Sequence, residues 1–60
     1  MNNPTQQQIK QARKESGLTQ QEASKILGVS VKSWQSWEQG LRNMRPQMFE
    51  LFLIKTGERK

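Results

Sequence analysis

Lys32, Ser33, Gln35, Ser36 and Gln39 are the residues of this chain best equipped for chemistry, and the chemistry they suit is recognition. On a helix they share one face, opposite a stripe of Val31, Trp34 and Trp37 with Glu38 beside it. Their ammonium, hydroxyl and amide groups can bond base edges or phosphate oxygens in a nucleic-acid groove. Gln20 and Gln21 open the preceding helix, whose free N–H groups and positive dipole end suit a phosphate. Covalent chemistry is poorly served. The chain has no His, Cys, Asp or Tyr, so acid–base work would fall to Glu and Lys, which form no recognisable pair. Without imidazole or thiolate no metal site is expected, and nothing calls for a cofactor or a small-molecule ligand. The chain is not expected to be an enzyme.

Positioning these groups requires a particular set of elements. Thr19 with Glu22 forms an S/T-x-x-E capping box that opens a helix with an inner stripe of Ala23, Ile26 and Leu27. Gly28 falls where that helix must stop in a left-handed conformation. Val29 then plugs the corner, and Ser30 caps the helix that runs to Gln39 and ends at Gly40. Two helices joined by a short Gly-containing turn cross at roughly 90–120°. The first then bridges the DNA backbone while the second enters the major groove, with readers clustered from Ser30 to Ser36. Upstream, an Asn3 cap before Pro4 or a Thr5–Gln8 capping box starts a helix from about residue 5 to Ser16, with Ile9, Ala12, Arg13 and Ser16 on one stripe and Gly17 ending it. Downstream, Leu41 to Arg45 reads as a loop and Pro46 as the first residue of a last, largely apolar helix closed by Gly57. Helices without strands, all-α, in a single domain over 1–60 with its two-helix motif at about 19–39, is the expected architecture.

The 60 residues carry ten Lys and Arg against five acidic residues, for a formal charge of +5. So basic a small domain favours a polyanionic partner, nucleic acid before an anionic membrane. There is no apolar run of about 20 residues and no secretory signal pattern, so a soluble cytoplasmic chain is expected, with no membrane partner. A chain this short buries only roughly 60% of its unfolded surface, and no disulfide can staple it. A partner subunit is the expected supplement.

The pattern L-T-Q-x-E-A at Leu18–Ala23, L-G-V-S at Leu27–Ser30 and W-E-x-G at Trp37–Gly40 resembles the lambda-repressor-like, or XRE-type, helix-turn-helix family over about residues 5–57. The resemblance implies a compact four-helix domain. It implies that Gln20 contacts phosphate, that Val31, Lys32, Ser33 and Ser36 face the bases with Gln35 also in reach, and that the loop from Gln39 to Arg45 touches the backbone. It also implies an ion pair between Arg13 and Glu38 that braces the motif. Three positions depart from the family pattern: Ser24 replaces a small Ala, Ala23 a larger aliphatic, and Trp34 an Ile or Val. The loop before Pro46 also looks about one residue longer than in the shortest relatives. An indole at Trp34 filling the space Ala23 vacates would reconcile two of these.

Aromatic residues can stack on unpaired bases, but the spacing of Trp34 and Trp37 opposite the polar face points to core packing. Arg42, Asn43 and Arg45 lie next to the recognition helix and are expected to clamp phosphates; Arg59 and Lys60 form a charged tail with Glu58. On the last helix Phe49, Phe52 and Leu53 fit a core stripe. Met48, Leu51 and Ile54 point elsewhere, as an interface would. A twofold homodimer through this helix would place two recognition helices about 34 Å apart on an inverted-repeat operator. These readings together describe a sequence-specific double-stranded-DNA-binding transcriptional repressor, a dimeric autorepressor of a phage or mobile-element operon in a bacterial or phage-infected cell. Small phage Cro-like repressors, antitoxins and anti-CRISPR-associated autorepressors share this version of the motif. The alternative is an antitoxin-like protein-interaction module with secondary DNA binding.

Overall fold

The computed structural model describes residues 3–57, which form α1 (Gln6–Glu15), α2 (Gln20–Leu27), α3 (Val31–Gln39) and α4 (Pro46–Lys55). Among them there is no strand. The tail Glu58–Arg59–Lys60 lies outside the described residues. Of the two possible starts for α1, the second is used: Thr5 Oγ1 accepts the Gln8 N–H at 3.0 Å and Gln8 Oε1 accepts the Thr5 N–H at 2.8 Å. The same reciprocal box opens α2, with Thr19 Oγ1 to the Glu22 N–H at 3.1 Å and Glu22 Oε1 to the Thr19 N–H at 2.9 Å. Each box satisfies two amide groups that a helix start would leave without partners.

Gly28 ends α2 at φ 72°, ψ 29°, a left-handed conformation that costs other residues about 1–2 kcal/mol. Its turn is three residues from the start of α3, where Ser30 Oγ accepts the Ser33 N–H at 3.1 Å. The short connection forces α3 to pack back across α2, and α3 also packs on α1 while α4 closes over α2. Pro46 occupies the first turn of α4, where its missing N–H removes nothing.

Ile9, Ala12, Ala23, Trp34, Trp37, Met44 and Phe52 make the core, with Leu18, Ile26, Leu27, Val29, Phe49 and Leu53 packed around it. The Trp34 indole sits at its centre, 4.9 Å from the Phe52 ring and 5.7 Å from Trp37 in an edge-on arrangement. Ala23 and Trp34 are both fully buried in this core, as the exchange of volume read from the sequence requires. Ser24 is also buried, and its hydroxyl donates to the Gln21 carbonyl at 2.8 Å, so the substitution for Ala leaves no orphaned polar atom.

Two expectations about packing are corrected. Val31 is not part of the α3 core stripe: it is 38% exposed, because the first residue of α3 lies beyond the edge of the core that Trp34 and Trp37 reach. Met44, in a loop to which no core residue was assigned, is fully buried. The chain between Gly40 and Pro46 thus contributes an anchor to the core and holds its charged residues around it.

Candidate nucleic-acid interface

A single carboxylate fixes how α3 sits on the other helices. Glu38 lies near the end of α3, its side chain only 5% exposed, and Arg13 of α1 meets it at 13% exposure. Arg13 Nε donates to Glu38 Oε2 at 2.6 Å and Arg13 Nη2 to Oε1 at 3.2 Å, a two-point contact that matches guanidinium to carboxylate. Gln20 Nε2 of α2 donates to Oε1 at 3.1 Å, and the Trp34 indole N–H donates to Oε2. The third guanidinium nitrogen is used as well, Arg13 Nη1 donating to the Leu18 carbonyl at 3.0 Å. The bracing ion pair implied by the family resemblance is present, and it gathers α1, α2 and α3 onto one group.

Burial pushes the Glu38 carboxyl up, but hydrogen bonds from Arg13, Trp34 and Gln20, with the guanidinium charge, outweigh it and hold the group below its ordinary value. A carboxylate whose folded pKa is lowered stabilises the fold fully above its unfolded value of about 4.3. That stabilisation disappears as pH falls through the folded value. The urea midpoint is therefore expected to drop on acidification below pH ~4, and Glu38→Gln should flatten part of that dependence. Identical acid profiles for the two proteins would remove Glu38 as a source.

On the outward side the residues singled out from the sequence come together, with differences in availability. Val31 and Lys32 at the start of α3 are exposed, as is Gln39 at its end. Ser33, Gln35 and Ser36 are half-buried. Ser36 Oγ donates to the Lys32 carbonyl at 3.0 Å, and Ser33 Oγ lies 3.1 Å from Ser30 Oγ. Gln35 Nε2 donates to Gln20 Oε1 at 3.4 Å. Gln20 is thus engaged at both ends of its amide, so the group it leaves available at the head of α2 is the backbone N–H, next to that of exposed Gln21.

Arg42, Asn43 and Arg45 are all exposed, around buried Met44. The turn that carries them is tied to α3: the Leu41 and Arg42 N–H groups donate to the Ser36 carbonyl at 2.9 and 3.3 Å. Sequence reasoning passed over Leu41, which is 73% exposed; nothing local distinguishes it from a buried loop leucine.

Of the three α4 residues expected to point away from the core, two do so. Leu51 is 38% and Ile54 55% exposed, but Met48 is half-buried against the core, because its flexible side chain turns back onto the apolar cluster. Pro4, Pro46, Phe49, Leu51 and Ile54 line a shallow apolar groove between the start of α1 and α4. Among the described residues no helix is long and apolar enough to cross a membrane.

These features define a helix-turn-helix domain, and comparison with known sequences agrees: the model of a helix-turn-helix domain family matches residues 7–53. The chain belongs to this lambda-repressor-like helix-turn-helix family, and membership implies DNA binding. It is also 37% identical over 51 residues to a type II methyltransferase, M.MspI, of Moraxella sp.. That match takes in 85% of the chain but only 12% of the methyltransferase.

Proposed function

We propose that the chain is a dimeric, sequence-specific repressor that reads an inverted repeat in double-stranded DNA and represses its own operon in a phage or mobile element. The observation that carries this reading is the outward surface of α3. Exposed Val31 and Lys32 stand on a helix held rigidly by Glu38, beside exposed Arg42, Asn43 and Arg45. The +5 charge would draw this surface to phosphates inside a cell, with occupancy falling steeply as salt rises. The chain performs no chemistry on the DNA it binds. The match to part of a methyltransferase fits this division, since it involves a small fraction of that enzyme.

The test is a mobility-shift titration of purified protein against DNA from the promoter beside its own gene, with sedimentation measured in parallel. A homodimer that shifts a palindromic fragment at physiological salt and releases unrelated duplexes supports the reading. A monomer that binds all duplexes alike would sink it. Lys32→Ala should weaken binding while leaving melting unchanged. If Lys32 meets a phosphate, the salt slope falls by about one; if it meets a base, about 1–3 kcal/mol of discrimination at one position is lost.

A second reading draws on the exposed Leu51 and Ile54 of α4: an antitoxin-like module that masks a partner protein and binds DNA secondarily. A chain that remains monomeric alone, and shifts its own promoter only with the product of the adjacent gene, would favour it.

A further inference from the structure

Three of the donors on α3 that the sequence suggests as readers are already hydrogen-bonded within the protein. Ser36 Oγ donates to its own helix at the Lys32 carbonyl, Ser33 Oγ pairs with Ser30 Oγ, and Gln35 is held by Gln20. Val31 is different. It occupies the first position of α3, it is the sole aliphatic side chain of that helix, and it is 38% exposed beside exposed Ser30 and Lys32.

A helix of this motif presents its N-terminal residues to base edges in the major groove. Among the groups displayed there, the C5-methyl of a pyrimidine is the apolar one. A valine pressed against a carbonyl or an exocyclic amine would strip it of water and offer no hydrogen bond in return. Against a methyl group both surfaces gain by leaving water.

Building on the DNA-reading function proposed above, we propose that Val31 is a specificity-determining residue that reads a pyrimidine C5-methyl group in each half-site. Thymine and 5-methylcytosine present that group in the same place on the ring. Lys32, next on the helix and exposed, supplies the charge that holds this end of α3 against the duplex.

The experiment begins with duplexes selected from a random pool by the purified full chain. The best is resynthesised with deoxyuridine in place of each thymidine in turn, and separately with 5-methyldeoxycytidine in place of each deoxycytidine. Losing one buried methyl should weaken binding about three- to fivefold at one position per half-site. Val31→Ala should lose a similar factor on the parent duplex and become indifferent to the substitution. Sensitivity in the deoxyuridine arm assigns thymine as the source, and a gain confined to the methylated arm assigns 5-methylcytosine. Indifference in both arms overturns the proposal, as does a methyl effect that survives intact in Val31→Ala. A chain that selects no sequence at all overturns the DNA-reading function and this contact together, so the two failures are told apart. Because Val31 lies outside the core, circular dichroism and melting of Val31→Ala should match the parent.

Discussion

Replacing Glu38 with Ala is expected to cost about 3–5 kcal/mol of folding free energy. The carboxylate itself is not the main loss; the groups left behind are. Arg13 would keep its contact with the Leu18 carbonyl but lose the two-point partner at 2.6 and 3.2 Å, leaving a guanidinium that is 13% exposed without its counter-charge. The indole N–H of fully buried Trp34 would face an apolar core without an acceptor. A domain of 60 residues has roughly 3–9 kcal/mol of stability in all, so most of it would go. Urea unfolding measures the effect directly. Glu38→Gln is the companion variant, since it keeps the volume and one acceptor oxygen and should retain more of the stability. An Ala variant within about 1 kcal/mol of the parent would mean that water replaces the carboxylate and that the pair does not brace the fold.

The function follows from the same group. Gln20 reaches Glu38 from α2 while Arg13 reaches it from α1, so the pose of α3 depends on three elements meeting at one point. A recognition helix misplaced by small shifts loses its register on the bases even while the domain stays folded. Gln20→Ala, which leaves the ion pair in place, is therefore expected to lower DNA affinity more than its small effect on melting suggests.

Much of this was legible in the sequence because it is governed by local rules. The Thr19–Glu22 box, the left-handed Gly28, the Ser30 cap and Pro46 at the head of α4 each follow from the chemistry of three or four consecutive residues. The burial of Trp34 and Trp37 follows from helical periodicity. What escaped was decided by contacts between distant residues. Val31 falls on the apolar stripe by spacing, yet the core ends before it. Met44 belongs to no periodic element and is buried because it joins the hydrophobic core built by the helices. The pairing of Arg13 with Glu38 spans 25 residues and was available only through the family resemblance. The inward bonding of Gln20 and Gln35 depends on how α2 meets α3, which no local pattern encodes.

Leu51→Glu is expected to abolish the homodimer proposed here, and specific DNA binding with it. Leu51 and Ile54 project from α4 beside a groove lined by Pro4, Pro46 and Phe49, an apolar surface that a second α4 would cover. At a twofold interface one substitution acts twice, since the same patch serves both subunits. Each introduced carboxylate would lose water at a cost of several kcal/mol, and the two would lie close enough to repel. Folding of the monomer should be unaffected, because Leu51 is outside the core and already 38% exposed. The consequence for DNA is larger than for the protein. Two linked recognition helices bind an inverted repeat with an effective local concentration that can raise avidity by 10²–10⁴ over one, and the variant would forfeit that gain while keeping its charge-driven, salt-sensitive affinity for any duplex. Sedimentation velocity and a palindrome-versus-half-site titration read the two effects side by side. A variant that sediments like the parent places the dimer elsewhere. One that becomes monomeric yet still prefers the palindrome would show that α4 joins the subunits without setting the spacing of the half-sites.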